Sequence, residues 1–395
     1  MIRHLLKLVW HRKRSTGLLM LEIAVSFLVV FAVALFALRC VANWRRPLGF
    51  QWQDVWVVNV DTNASTDDEG TAEDVARTRQ LLAEARSLPP VVATAGALIA
   101  PYQIGGSYGV LNYQNRSARM SVIEATDDFA SVARLHLVAG RFFGRADDGS
   151  NVPPVVINQR LARALFEGVD PLGKVIGHGQ RPVRVVGVID EFRQFGELLS
   201  GGNVLFERIT LANADERPPR RLMLRMAPGT TAAYEPELVR RLAPVAPGWS
   251  LSVQPLAAMR HSQLRLQMAP LVVGGVVAGF LLLMVALGLL GVLWQNVTRR
   301  TRELGLRRAA GASRAAVHRQ VMLELVLVTS LAVVPALLLV VQLPLLSLFE
   351  DLEPLLVVAA AATALVVVFA LTVSCGLYPS RVATRLAPAD ALRWE

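Results

Sequence analysis

Gly168-Val-Asp-Pro-Leu-Gly173-Lys174 has the glycine and lysine spacing of a loop that cradles phosphates. The chemistry it would serve is nucleotide binding, with a hydroxyl after the lysine holding Mg²⁺. Val175 stands where that hydroxyl is required. The helical pattern Gln159–Phe166 precedes the segment and the β-type run Lys174–Ile176 follows, whereas a phosphate loop needs strand then helix. The segment therefore reads as a tight turn bearing a solvated lysine. His4, His11, His136, His178, His261 and His318 lack metal-ligand spacing, and neither HExxH nor GxSxG occurs. His178 lies in a Gly-His-Gly turn, and Asp67, Asp68 and Glu69 read as a solvated acidic loop. No catalytic, cofactor-binding or metal-binding residue is expected, and the chain is not expected to be an enzyme.

The stretch Asn296–Arg314 has a different character. Its charged helical pattern ends near Gly311, and Ser313 is placed to cap a new helix. Leu304, Leu306 and Ala309 form a small apolar surface framed by Arg302, Glu303, Arg307 and Arg308. That is more than a basic membrane flank requires. Two acids, Glu22 and Glu324, fall inside apolar stretches. The expectation is that they snorkel or pair with nearby arginines, with an ion relay as the alternative.

Those stretches are long enough to cross a bilayer. A core about 30 Å thick needs roughly 20 apolar residues as helix, and Gly17–Val41, Ala269–Leu293, Leu325–Phe349 and Leu355–Tyr378 all meet that length. A hydrophobic fraction of 53% against 18% charged agrees with a membrane protein. A signal peptide is the other reading of the first segment, but Cys40–Val41–Ala42–Asn43 is a poor cleavage site. Before it, Ile2, Leu5, Leu6 and Val9 recur at helical spacing, as in a short helix lying in the headgroup layer.

Arginine and lysine orient the chain. They gather before the first span, between the second and third, and after the fourth, while the third-to-fourth turn carries Glu350, Asp351 and Glu353. Both termini are expected in the cytoplasm and the domain after the first span outside. The net charge of +10 is accounted for by these flanks, which face anionic lipid, and nucleic acid is not expected as a partner. Cys40 and Cys375 are placed toward opposite sides of the bilayer and are not expected to pair.

The external domain contains one pattern twice. Val55–Val60 reads as a strand, Val75 to Leu88 as an amphipathic helix stopped by Pro89–Pro90, and Val91–Ile99 as a second strand. Arg221–Met226, the helix marked by Tyr234, Leu238 and Leu242, and Trp249–Gln254 repeat it. Between them, Met120–Ile123, Val155–Ile157 and Val183–Ile189 read as short strands around the helix Gln159–Phe166. The fold class expected is an α-helical membrane protein with four transmembrane helices. To these is added an α+β extracytoplasmic domain, a strand–helix–strand layer carrying a mixed-β insertion.

Arg302-Glu-Leu-Gly-Leu-Arg-Arg-Ala-Ala-Gly-Ala-Ser313 resembles the signature of FtsX-like, or MacB-type, ABC-transporter permeases. So do His136–Phe143, Val155–Phe166, Asp170–Lys174, Arg184–Asp190 and Pro379–Arg393, in the same order. The resemblance implies a permease that works as a dimer, with a second copy or a different permease chain. It implies a cytoplasmic ABC ATPase docked on Arg302, Glu303, Leu304, Gly305, Arg307, Arg308 and Gly311. It also implies a periplasmic adaptor and an outer-membrane duct, for export or extrusion of an antibiotic, peptide or similar substrate by mechanotransmission. Since an N-terminal ATPase domain of the MacB kind is lacking, the ATPase is expected to be a separate polypeptide.

A lipoprotein-release permease, or an FtsX-type regulator of a cell-wall hydrolase that transports nothing, would share these features. The expected organisation is a cytoplasmic amphipathic helix at 1–16, membrane helices at 17–42, 268–294, 317–349 and 355–378, and a coupling loop at 295–316. An outer turn falls at 350–354 and a cytoplasmic tail at 379–395. The MacB-like periplasmic core domain is expected at 43–267, with its α/β layer at about 54–102 and 203–256 and its insertion at about 103–202. The location implied is the bacterial inner membrane.

Overall fold

The computed structural model describes residues 13–62, 71–178, 181–212, 217–299, 313–342 and 353–385. It divides into two compact units, Ala42–Gln267 and Met1–Val41 with Met268–Glu395. In chain order, α1 (Lys13–Trp44) leads to β1 (Val55–Asp61), α2 (Ala72–Ser87) and β2 (Val91–Ala97). There follow β3 (Ser107–Tyr113), β4 (Arg116–Ala125), α3 (Phe129–Ala133), β5 (Leu137–Gly140) and β6 (Pro154–Asn158). Next come α4 (Gln159–Phe166), β7 (Val175–His178), β8 (Arg181–Ile189) and β9 (Val204–Arg208). Then β10 (Arg221–Met226), α5 (Glu235–Leu242) and β11 (Ser250–Pro255) precede the long helices α6 (Leu256–Arg299), α7 (Arg314–Gln342) and α8 (Pro354–Arg385).

The two strand–helix–strand units interlock rather than sit side by side. The sheet order is β11–β1–β10–β2, antiparallel throughout, so a strand from the second unit separates the two strands of the first. Neither unit completes a sheet alone. One face of this layer packs Trp56, Val58, Leu222 and Leu224 against Leu81 and Ala85 of α2 and Leu238 and Leu242 of α5. The other buries Val55, Val57, Ala95 and Met223. Coverage on both faces is why β1 reads as a continuous apolar run instead of an alternation. Helix α2 starts at a reciprocal capping box, in which the Asp74 N–H donates to Thr71 Oγ1 at 3.2 Å and the Thr71 N–H donates to the Asp74 carboxylate at 3.0 Å. It stops before Pro89, whose ring disfavours helical backbone in the residue ahead.

The insertion closes on itself. β4 pairs β3, β3 pairs β7, β7 pairs β8, β8 pairs β6, β6 pairs β9, and β9 returns to β4 in parallel. A closed ring leaves few free edges, and its interior is filled by Leu111, Met120, Val155, Ile157, Ile176, Val185 and Leu205, with Leu161, Leu165 and Phe166 of α4. The Ala97–Ala125 pairing is the backbone bridge from this ring to the layer. β9 belongs to the ring, so the insertion extends past residue 202 and the α/β layer does not resume at 203. Val204–Phe206 is too short and uniformly apolar for periodicity to assign its sheet. The phosphate-loop lookalike lies between α4 and β7, with Gly168 and Gly173 at positive φ and no helix after Lys174.

Among the described residues, four helices are long and apolar enough to span a membrane: Gly17–Trp44, Leu256–Gln295, His318–Gln342 and Pro354–Leu377. Their shared core combines Ile23, Phe27, Val285, Leu289, Val333, Ala336, Ala360 and Ala364. Small residues at that contact allow close approach where lipid provides no hydrophobic drive between helices. Thr329 and Thr372 join α7 to α8 through a buried 3.1 Å hydrogen bond. Ser313 caps α7 by accepting from the Ala316 N–H at 3.2 Å. Cys40 and Cys375 are both free. The N-terminal amphipathic helix, the acidic run Asp67–Glu69 and residues 343–349 of the third expected span lie outside the described residues.

Candidate functional site

Of the residues singled out for coupling, Arg302, Glu303, Leu304, Gly305, Arg307, Arg308 and Gly311 lie outside the described residues. The two intramembrane acids fall on different helices. Glu22, half-buried on α1, directs a carboxylate oxygen toward Gly288 of α6, where any side chain on that glycine would crowd it. Glu324 is half-buried on α7.

One buried polar constellation among the described residues was not singled out from the sequence. It is built on the segment joining β8 to β9, beginning Asp190-Glu-Phe-Arg-Gln-Phe-Gly-Glu197. Arg193 is buried at 3% exposure, and its guanidinium is held by backbone carbonyls. It donates from Nη1 to Asn43 at 2.8 Å and Arg46 at 3.2 Å, and from Nη2 to Glu197 at 2.7 Å and Leu199 at 2.5 Å. Asn43 returns a bond, donating from Nδ2 to the Leu198 carbonyl at 3.0 Å. The residues where α1 ends are thereby stitched to this segment.

The start of α6 is stitched to the same segment. Arg260 Nε donates to Glu197 Oε1 at 2.5 Å, and the Arg260 guanidinium lies over the Trp52 ring at 4.6 Å and the Trp44 ring at 5.7 Å. Two turns further along, Gln267 donates to the Phe195 carbonyl at 2.6 Å. Tyr102 donates its hydroxyl to Glu197 at 3.5 Å, and burial, reinforced by the Glu197 charge, pushes the Tyr102 pKa up. Burial lowers the Arg193 pKa from the usual guanidinium value, with Glu191 opposing.

Two glycines permit the close approach. Gly49, at φ +82°, has the Glu191 carbonyl where a Cβ would stand, and a Cβ on Gly196, at φ +94°, would sit 2.8 Å from the Tyr102 ring. The far end of the segment is pinned by Asn158. Its Oδ1 accepts from the Leu161 and Val204 N–H groups, each at 3.1 Å, while its Nδ2 donates to the Gly202 carbonyl at 2.8 Å.

Chemically this is a clasp rather than a reaction centre. Its cations and its carboxylate are turned on one another and on carbonyls, and no nucleophile–base pair is presented. Glu197 Oε2 and Arg193 Nε are buried without a partner among the described residues, a desolvation cost that the network's other bonds offset. Sequence reasoning missed it because its members are contributed from five separated stretches. The available signal was a charged-aromatic run directly after a buried strand, with Trp44 and Trp52 flanking a membrane span.

Residues 16–240 match the model of a MacB-like periplasmic core domain, and residues 275–388 match that of the FtsX-like permease C-terminal region. The macrolide export ATP-binding/permease protein MacB 2 of Aeromonas hydrophila is 26% identical over 237 residues, covering 56% of this chain and 35% of that protein. The pyoverdine export ATP-binding/permease protein PvdT of Pseudomonas savastanoi pv. phaseolicola is 26% identical over 299 residues, covering 74% of this chain and 45% of its own. The chain thus spans less than half the length of these relatives. The crystal structure of the periplasmic region of MacB from Actinobacillus actinomycetemcomitans aligns at a TM-score of 0.40 and 14% identity, covering 54% of this chain and 94% of that one.

Proposed function

Because the chain belongs to the family of FtsX-like permeases with a MacB-like periplasmic core domain, we propose that it couples ATP hydrolysis by an ABC ATPase partner to movement of that domain, driving export. Its kinship makes it a multi-pass inner-membrane protein of the ABC permease class. The reading proposed beyond that is mechanical. The observation that supports it is α6, a single helix from Leu256 to Arg299. Its first turns carry Arg260 and Gln267 of the clasp, and its last residues lead into the charged stretch 300–312.

A single helix, even with the one ladder bond that Pro270 omits, resists compression along its axis. A displacement applied at its cytoplasmic end is therefore delivered to the segment that Arg260 and Gln267 grip. The clasp ties the end of α1 to the same segment, so the domain is held at both chain crossings.

The ATPase end of this path is assigned to Arg302, Glu303, Leu304, Arg307 and Arg308. An interface anchor contributes about 2 kcal/mol or more to binding, roughly a thirtyfold change in affinity. Surface substitutions away from a packed core usually change stability by less than about 0.5 kcal/mol. Glu303→Ala with Leu304→Ala should therefore leave the protein inserted in the membrane but reduce co-purification of its ATPase and transport-linked ATP hydrolysis. Retention of both at the wild-type level would remove the docking role of this loop. The substrate class, an antibiotic, peptide or similar molecule, follows from kinship with the exporters and is part of the same proposal.

A further inference from the structure

The external face of the β3–β4 hairpin and the segment joining β8 to β9 enclose an open groove of about 690 Å³. Strand pairing builds its floor. Tyr108 stands opposite Ser121 and Val110 opposite Arg119, while Leu111, Met120 and Val122 point the other way into the ring core. The wall is formed by Gln194, Phe195 and Leu199. Tyr108 is 71% exposed, Val110 43% and Leu199 41%, so an apolar lining is left uncovered.

Polar groups in the groove are few, and most are engaged. Gln194 donates to the Gly105 carbonyl at 3.3 Å and accepts from Ser121 Oγ at 3.4 Å. Asn203 donates to the Arg119 carbonyl at 2.8 Å. Arg193 has its guanidinium turned onto four backbone carbonyls. Arg119 is the exception. Its side chain is exposed on the floor, and no carboxylate among the described residues pairs with it.

We propose that this groove binds a single-chain anionic amphiphile, with its apolar body on Tyr108, Val110, Phe195 and Leu199 and its anionic head on Arg119. The volume falls within the range of small-molecule sites, roughly 300 to 1,000 Å³, and the lining has their composition, apolar with a few placed polar groups. A protein partner would instead require a broad contact burying on the order of 1,200 Å² or more, which a concave slot of this size does not offer. A guanidinium beside an apolar wall selects a carboxylate, sulfate or phosphate head over a neutral or cationic one. The site is independent of how the ATPase docks. It shares the β8–β9 segment with the clasp, and Phe195, which lines the groove, also accepts the bond from Gln267.

The test is photolabelling of the full chain in lipid nanodiscs, using dodecanoic acid bearing a chain diazirine and the corresponding dodecanol as the neutral probe. The carboxylate probe should label peptides spanning 107–121 or 192–204, and unlabelled dodecanoate should compete. A charge-assisted hydrogen bond contributes about 1.5 to 3 kcal/mol, so Arg119→Gln should lower carboxylate labelling of those peptides about tenfold or more and leave dodecanol labelling unchanged. Val110→Asp should suppress both probes. Both positions are exposed, so thermal unfolding of either variant should match the wild type.

Repeating the labelling in discs with and without phosphatidylglycerol separates two sources of the anionic head. Unchanged labelling supports a free amphiphile, whereas displacement by phosphatidylglycerol assigns the groove to bilayer lipid and overturns the single-chain ligand. Equal carboxylate labelling of wild type and Arg119→Gln, equal loss of both probes in that variant, or label confined to the membrane helices also overturns the proposal. So does efficient chain-to-chain cross-linking through Tyr108→Cys, which would make this face an interface between copies.

Discussion

Arg193 illustrates how one side chain organises several pieces of backbone. A guanidinium presents five N–H groups in a fixed fork, which suits it to gathering carbonyls from turns that cannot satisfy one another. Here it gathers Asn43, Arg46, Glu197 and Leu199. Each buried carbonyl left without a donor costs about 1 to 3 kcal/mol. Arg193→Met keeps much of the apolar stem but orphans several of them at once, so the external domain should lose on the order of 3 kcal/mol or more. The measurement is the midpoint of chemical unfolding of the purified full chain in detergent, followed by near-ultraviolet circular dichroism. An unchanged midpoint would show that water replaces the guanidinium without cost and that the clasp is not held by Arg193.

At the scale of an element, α6 is the informative case. Pro270 lies within it, about one turn beyond Gln267. Lacking an N–H, Pro270 cannot bond the carbonyl of Leu266, so the helix is already weakened next to the clasp. Arg265 and Leu266 are both exposed, and replacing both by glycine removes no packed contact. Each glycine costs about 1 kcal/mol relative to alanine in a helix interior. The variant Arg265→Gly with Leu266→Gly should therefore fold and bind its ATPase, yet lose transport-linked stimulation of ATP hydrolysis. The matching double alanine variant should retain it. Equal coupling in both would mean that the continuity of α6 is not what carries the motion.

For the whole molecule, the decisive quantity is orientation. The proposal places both termini in the cytoplasm and residues 43–267 in the periplasm, on the distribution of arginine and lysine around the four spans. Ser107 and Ser313 are both exposed. In a background with Cys40→Ser and Cys375→Ser, Ser107→Cys should react with a membrane-impermeant maleimide in intact spheroplasts. Ser313→Cys should react only after permeabilisation. The reverse pattern would invert the topology and place the 295–316 loop out of reach of any cytoplasmic ATPase.

The amino-acid sequence by itself determined whatever depends on local pattern. Runs of apolar residues longer than the bilayer core place the four spans, because a membrane helix must satisfy its own backbone and therefore announces itself by length. Arg221–Met226 as a strand and Gln159–Phe166 as a short helix were legible to the residue. Tertiary structure alone decided which strands become neighbours. Nothing local to Val204–Phe206 shows that it closes a ring with β4 and β6, since either sheet would bury the same side chains. Ser107–Tyr113, with its mixed exposed face, carries too weak an alternation to be read as a strand. The clasp and the groove belong to this second class. Asn43, Tyr102, Arg193, Glu197 and Arg260 are ordinary residues in their own stretches, and their partnership exists only because the chain leaves and re-enters its external domain beside the same buried segment.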